Sequence, residues 1–97
     1  MNMNKLLKQA QEMQEKLQSE LGETFVDASV GGGIVSVKMD GHKHLVAVKI
    51  DPEAIDPDDA GMLEDLIVAA VNEASRKMDE TLRSKVGNMA SSLPSIF

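Results

Sequence analysis

Apolar positions change period along this chain, and each change marks an element. Met3, Leu6, Ala10, Met13, Leu17 and Leu21 step by threes and fours, the one-sided stripe of an amphipathic helix. The pattern predicts a helix over about 4–21, with Asn2 or Asn4 capping its start and Gly22 placed to end it. The stripe is close to a heptad seam, so part of it suits packing on another helix. Glu12 and Lys16, four residues apart in the favourable order, add slight support.

Between Thr24 and Val30 the period drops to two. Val26, Ala28 and Val30 fall on one side, and Phe25, Asp27 and Ser29 on the other, which predicts a strand. Gly31-Gly32-Gly33 breaks it. A phosphate-cradling loop needs a Lys-Ser/Thr ending and a helix start that are missing here, so a flexible turn or bulge accounts better for the glycines. Two β-branched runs over 34–39 and 44–50 then flank Asp40-Gly41, a pair suited to the positive φ angles of a two-residue type I′ turn. Such a turn sets Val35 opposite Val46, Val37 opposite His44 and Met39 opposite His42. One hairpin face then carries Val35, Val37, Met39, Val46, Val48 and Ile50. The other carries Ile34, Ser36, Leu45 and Ala47 with Lys38, Lys43 and Lys49. A hairpin alone is marginal, so the flanking helices must cover it.

Asp51-Pro52 and Asp56-Pro57 each read as a cap followed by a first helical residue. The first opens a single turn. The second opens a long helix over about 57–89, with Leu63, Leu66, Ile67, Ala70, Val71, Ala74, Met78 and Leu82 along one side. The stretch 90–97, rich in Ser and broken by Pro94, is expected to be flexible. The predicted class is α+β, one domain over 1–97: an N-terminal helix, a three-stranded antiparallel sheet and a long C-terminal helix.

Composition narrows the function. A chain of 97 residues buries a modest core, and association with a second copy is a natural way to bury more. There is no Cys, hence no disulfide and no thiolate metal site. No run approaches the ~18 consecutive apolar residues of a membrane helix, and Lys5, Lys8 and Glu12 occupy the opening segment. A cytoplasmic protein without membrane association is expected. Ten Lys and Arg stand against sixteen Asp and Glu, for a net charge of −6. Residues 1–50 are neutral, and 51–97 carry the whole excess, with seven acids between Asp51 and Asp65. These acids read first as a solvated helix start. They argue against nucleic acid on composition alone, because phosphate binding normally leaves a basic footprint.

Catalytic candidates are few. His42 and His44, with Asp40, are spaced to share a metal ion, but two polar residues at an exposed turn explain them better. No nucleophile motif is visible, and no catalytic residue, cofactor or small-molecule substrate is expected. Phe25 and Phe97 are the only aromatic residues, too few for a base-stacking platform. Any nucleic-acid contact must come from Lys and Arg against duplex phosphates.

Particular residues add what periodicity does not. Gly32-Gly33-Ile34-Val35-Ser36-Val37, Asp40-Gly41, Val48-Lys49-Ile50-Asp51-Pro52 and above all the run from Met62 to Ala74 resemble the bacterial YbaB/EbfC family of nucleoid-associated proteins. The opening from Leu6 to Gln14 is similar as well. The resemblance implies the same helix–sheet–helix order, an intertwined homodimer whose sheets join and whose long helices project like jaws, and binding of double-stranded DNA with limited sequence preference. It implies a role in nucleoid organisation and gene expression, and no catalytic residues. Leu93 to Phe97 depart from the Pro-Gly run common in that family. Face analysis assigns the phosphate contacts to Lys5, Lys8, Lys16, Arg76, Lys77, Arg83 and Lys85, and the dimer interface to Ile34, Leu45 and Ala47. The competing reading is a protein-interaction module that uses the acidic helix and the apolar stripes.

Overall fold

A computed structural model describes residues 2–92, with side chains placed for 2–87. The elements run α1 (Met3–Gly22), β1 (Phe25–Val30), β2 (Val35–Asp40), β3 (Leu45–Ile50), one 3-10 turn (Pro52–Ala54) and α2 (Ala60–Ser92). This is the expected α+β order. The strands form one antiparallel sheet in the order β1-β2-β3. No helix among the described residues is long and apolar enough to cross a membrane.

Asn2 caps α1, its side chain accepting from the Asn4 N–H at 3.0 Å. Asp51 caps the 3-10 turn in the same way through the Glu53 N–H, with Pro52 in the first position. The long helix begins three residues later than Asp56-Pro57 suggests. Asp56 instead closes a local turn, accepting from the Asp58 N–H at 2.9 Å, and Asp59 reaches the Met62 N–H at 3.3 Å. At its far end α2 continues to Ser92, so part of the stretch expected to be flexible is helical. Residues 93–97 lie outside the described residues.

The core sits between α2 and the first two strands. Ala28, Val35, Val37 and Met39 from the sheet meet Ala70, Ala74 and Met78 from the helix, all essentially buried. Ala70 and Ala74, four apart on one helix face, let α2 approach closely, and Met78 fills the space beyond them. Ile34 packs against this cluster rather than facing away from it. β3 lies outside the cover of α2. Val46 and Val48 remain 49% and 47% exposed, and Leu45 and Ile55 are similarly bare. Ala47 pairs with Lys38 and opens onto the polar outer face beside Asp27, Ser36 and Lys49.

The hairpin register differs from the expectation. Val35 pairs with Ile50 and Val37 with Val48, and Met39 pairs with Leu45, with Val46 left as a bulge. The turn is the cause. The Asp40 carboxylate accepts from the N–H groups of His42 and His44 at 2.9 and 3.0 Å. The Lys43 N–H donates to the Asp40 carbonyl at 2.9 Å, and Lys43 takes the left-handed conformation at φ 64°. The loop is therefore three residues closed by a left-handed one, not a two-residue turn. Gly41 supplies no positive φ. It is needed for a different reason: a Cβ there would stand 2.5 Å from the Leu21 carbonyl oxygen, at the end of α1. Positive φ belongs to Gly31, Gly32 and Gly33, at 64°, 70° and 99°, which reverse the chain between β1 and β2.

The opening helix is the unusual element. None of its residues is buried, although Met3, Leu6, Leu7, Met13 and Leu17 are large and apolar. The chain consequently measures 68 Å along its longest axis, with a radius of gyration of 19.2 Å, against about 12–13 Å for a compact chain of this length.

Candidate nucleic-acid interface

The sheet gives the molecule two unlike ends. Strand pairing puts the Gly31–Gly33 loop, Ile50 and Asp51 at one end, and Thr24, Phe25 and the Gly41–His44 turn at the other. Helix α2 enters at the first end, where Leu66 lies beside Gly31, and passes over the sheet to the second, where Lys85 reaches Thr24. Helix α1 arrives at Thr24 from outside. The acids from Asp51 to Asp65 therefore gather at one end, and both helices extend past the other. The two helices meet only near their bases, where Leu17, Leu21, Leu82 and Val86 line an apolar groove of about 430 Å³ edged by Glu20, Thr24 and Lys85.

The seven expected phosphate contacts divide into two sets. Arg76 is held between carboxylates on its own helix, donating to Glu73 at 2.6 and 3.1 Å and to Glu80 at 2.6 Å. The Glu73 hydrogen bonds raise the Arg76 pKa further above its usual value, and Arg76 in turn lowers that of Glu73. Lys77 donates to the Asp27 carbonyl of β1 at 2.9 Å, and Lys85 to the Thr24 hydroxyl at 2.9 Å. These three bases work within the fold. Lys5, Lys8, Lys16 and Arg83 are exposed and have no ion-pair or hydrogen-bond partner among the described residues. Lys5 and Lys8 sit in the first turns of α1, with Glu12 the nearest acid in sequence, four residues beyond Lys8; Lys16 is interspersed with Glu12, Glu15 and Glu20.

Three further lysines have other roles. Lys43 forms an ion pair with Asp79 of α2, clamping the hairpin turn to the helix. Lys38 lies 5.2 Å from the centre of the Phe25 ring on the outer sheet face, with Lys49 on the same face. His42 and His44 stand 6.0 Å apart. The His42 Nε2 meets the Gln18 carbonyl at 3.2 Å, and the His44 Nδ1 lies 3.9 Å from Asp40. Among the described residues no group of three or more His, Cys, Asp or Glu is arranged to hold a metal ion.

The family model of the YbaB/EbfC DNA-binding family matches residues 1–93. The chain belongs to that family. Among its relatives, a protein of Acetivibrio thermocellus named "Nucleoid-associated protein" is 49% identical, the match spanning 98% of this chain and 87% of that one. A Chloroflexus aurantiacus protein of the same name is 40% identical over the full length of both chains. A crystal structure of an uncharacterized protein from Helicobacter pylori has the same fold, with a TM-score of 0.72 and 24% identity, covering 93% of this YbaB/EbfC chain and 98% of the other. Sequence spacing foretold the family's helices and strands here, but not the inward turn of Lys77 and Lys85, which depends on partners 50 and 61 residues away.

Proposed function

We propose that this protein is a homodimeric nucleoid-associated protein that binds double-stranded DNA through phosphate contacts, with little sequence preference. The family match over residues 1–93 carries the reading. Three further observations support it. Lys5, Lys8, Lys16 and Arg83, exposed and without partners among the described residues, lie on the two helices. The acids from Asp51 to Asp65 gather around the start of α2, and the sequence has only two Phe, no Tyr and no Trp for base stacking. Contacts of this kind give affinity and register but no direct sequence choice. By this reading the protein works in the cytoplasm on the nucleoid, and its influence on gene expression follows from DNA organisation.

Dimerisation supplies what one chain lacks. The uncovered inner face of β3, with Leu45, Val46 and Val48, and the bare stripe of α1 are both apolar. A self-complementary contact buries them together and extends the sheet edge to edge. It also doubles the basic set of Lys5, Lys8, Lys16 and Arg83. Replacing Lys5 and Lys8 by Gln in both protomers removes four candidate phosphate contacts. The slope of log affinity against log salt should then flatten by about 3 to 4. An unchanged slope with unchanged affinity would remove α1 from the interface. The protein-interaction reading rests on the net charge of −6; it is favoured instead if a folded dimer fails to bind duplex DNA even at low salt.

A further inference from the structure

We propose that Thr24 is a positioning residue, which with Lys85 and the β2–β3 turn fixes the angle between α1 and α2. This rests on the DNA-binding reading, in which that angle sets where Lys5 and Lys8 meet the duplex. Within one chain α1 has no fully buried side chain, and its anchorage lies at its base, where Leu21 is half-buried. Hydrogen bonds gathered there set the angle at which it leaves the sheet.

Four consecutive carbonyls near the end of α1 are all met from beyond the helix. Gln18 faces the His42 Nε2 at 3.2 Å, Ser19 accepts from the Glu23 N–H at 3.2 Å, Glu20 accepts from the Thr24 hydroxyl at 2.7 Å, and Leu21 accepts from the Gly41 N–H at 2.9 Å. Two of these partners belong to the hairpin turn, far away in sequence. Of these partners Thr24 alone bonds the other helix directly, because its hydroxyl also accepts from the Lys85 ammonium at 2.9 Å, while the turn reaches α2 through the Lys43–Asp79 ion pair. A chain of two hydrogen bonds thus runs from α2 through Thr24 to the carbonyl end of α1, where a nearby cation is favourable. Among the described residues Thr24 and Asp40 are the two buried polar side chains, each 9% exposed, and both serve this joint.

Leverage makes the joint matter. A helix of 20 residues is about 30 Å long, so a 10° change at its base moves its tip by about 5 Å. That exceeds the ~3.4 Å axial spacing of phosphates along one strand. A loosened joint therefore carries Lys5 and Lys8 out of register without altering the number of bases present.

The chain has no Cys, so spin labels can be placed at Gln11→Cys and Glu64→Cys, both exposed positions. The labelled protein is diluted with unlabelled protein, and the distance distribution is measured by pulsed electron resonance. Thr24→Val, which keeps the shape and removes both hydrogen bonds, should broaden the distribution and weaken duplex binding about tenfold at unchanged salt slope. Thr24→Ser should restore both. Lys85→Met, which keeps the stem and removes the ammonium, should broaden the distribution as well. A distribution as narrow in Thr24→Val and Lys85→Met as in the unaltered protein would overturn the proposal, as would broadening with unchanged DNA affinity. Failure of the unaltered protein to bind DNA would overturn the functional reading, while the distance measurement would still decide the joint.

Discussion

Gly41 and Asp40 show how much one residue can hold. Gly41 places its N–H on the Leu21 carbonyl, and its missing side chain is what allows the approach. Gly41→Ala drives a methyl into the Leu21 backbone and forces the end of α1 away from the turn, and the expected loss is about 1–3 kcal/mol, read as a lower urea midpoint. The Asp40 carboxyl is held below its ordinary pKa, first by the His44 N–H and then by the His42 N–H, against the opposing effect of burial. With the folded value below the unfolded one of about 3.9, its contribution is complete well above that pH. It is lost as the pH falls through the unfolded value and on through the folded one. Asp40→Asn keeps an acceptor but cannot titrate, so its stability should fall less steeply between pH 5 and pH 3. Sequence reading located this turn but misread its chemistry. Asp-Gly admits both a two-residue turn and a three-residue one, and the three-residue form lets two N–H groups share one carboxylate oxygen. The engagement of Arg76 was missed, because the face reading gave it to phosphate although Glu73 and Glu80 stand three and four residues away, the spacing of helical neighbours.

At the scale of elements, the stripes of both helices and the alternation of β1 appear as read, because local periodicity decides them. What periodicity cannot say is which apolar face receives a cover. Val48 and Val37 share a sheet face, yet α2 covers Val37 and leaves Val48 open. Three aspartates near the start of α2 are equally able to cap it, and only the tertiary path selects Asp59. The uncovered face gives a direct expectation. Val48→Asp should leave the monomer fold intact, since the side chain is already half exposed, and should shift the protein from dimer to monomer by light scattering on a sizing column. A full dimer population in this variant would place the interface elsewhere. Thr24→Val tests the joint between elements in the same spirit, with helix content unchanged and only the spread of angles altered.

Considered whole, the molecule resolves the conflict between an acidic composition and a DNA-binding family. The net charge of −6 is a sum over two ends. The acids from Asp51 to Asp65 surround the start of α2, while Lys5 and Lys8 lie near the far tip of α1, along an axis 68 Å long. Since charges more than about 10 Å apart are largely screened at 0.1 M salt, the acidic end would do little to repel a duplex bound, as proposed, at the other. The most direct measurement is binding of the purified protein to two unrelated DNA duplexes across a salt series. Similar affinity for both duplexes, with log affinity falling linearly as log salt rises, is the predicted result. Affinity for neither duplex at low salt, or binding indifferent to salt, would contradict it.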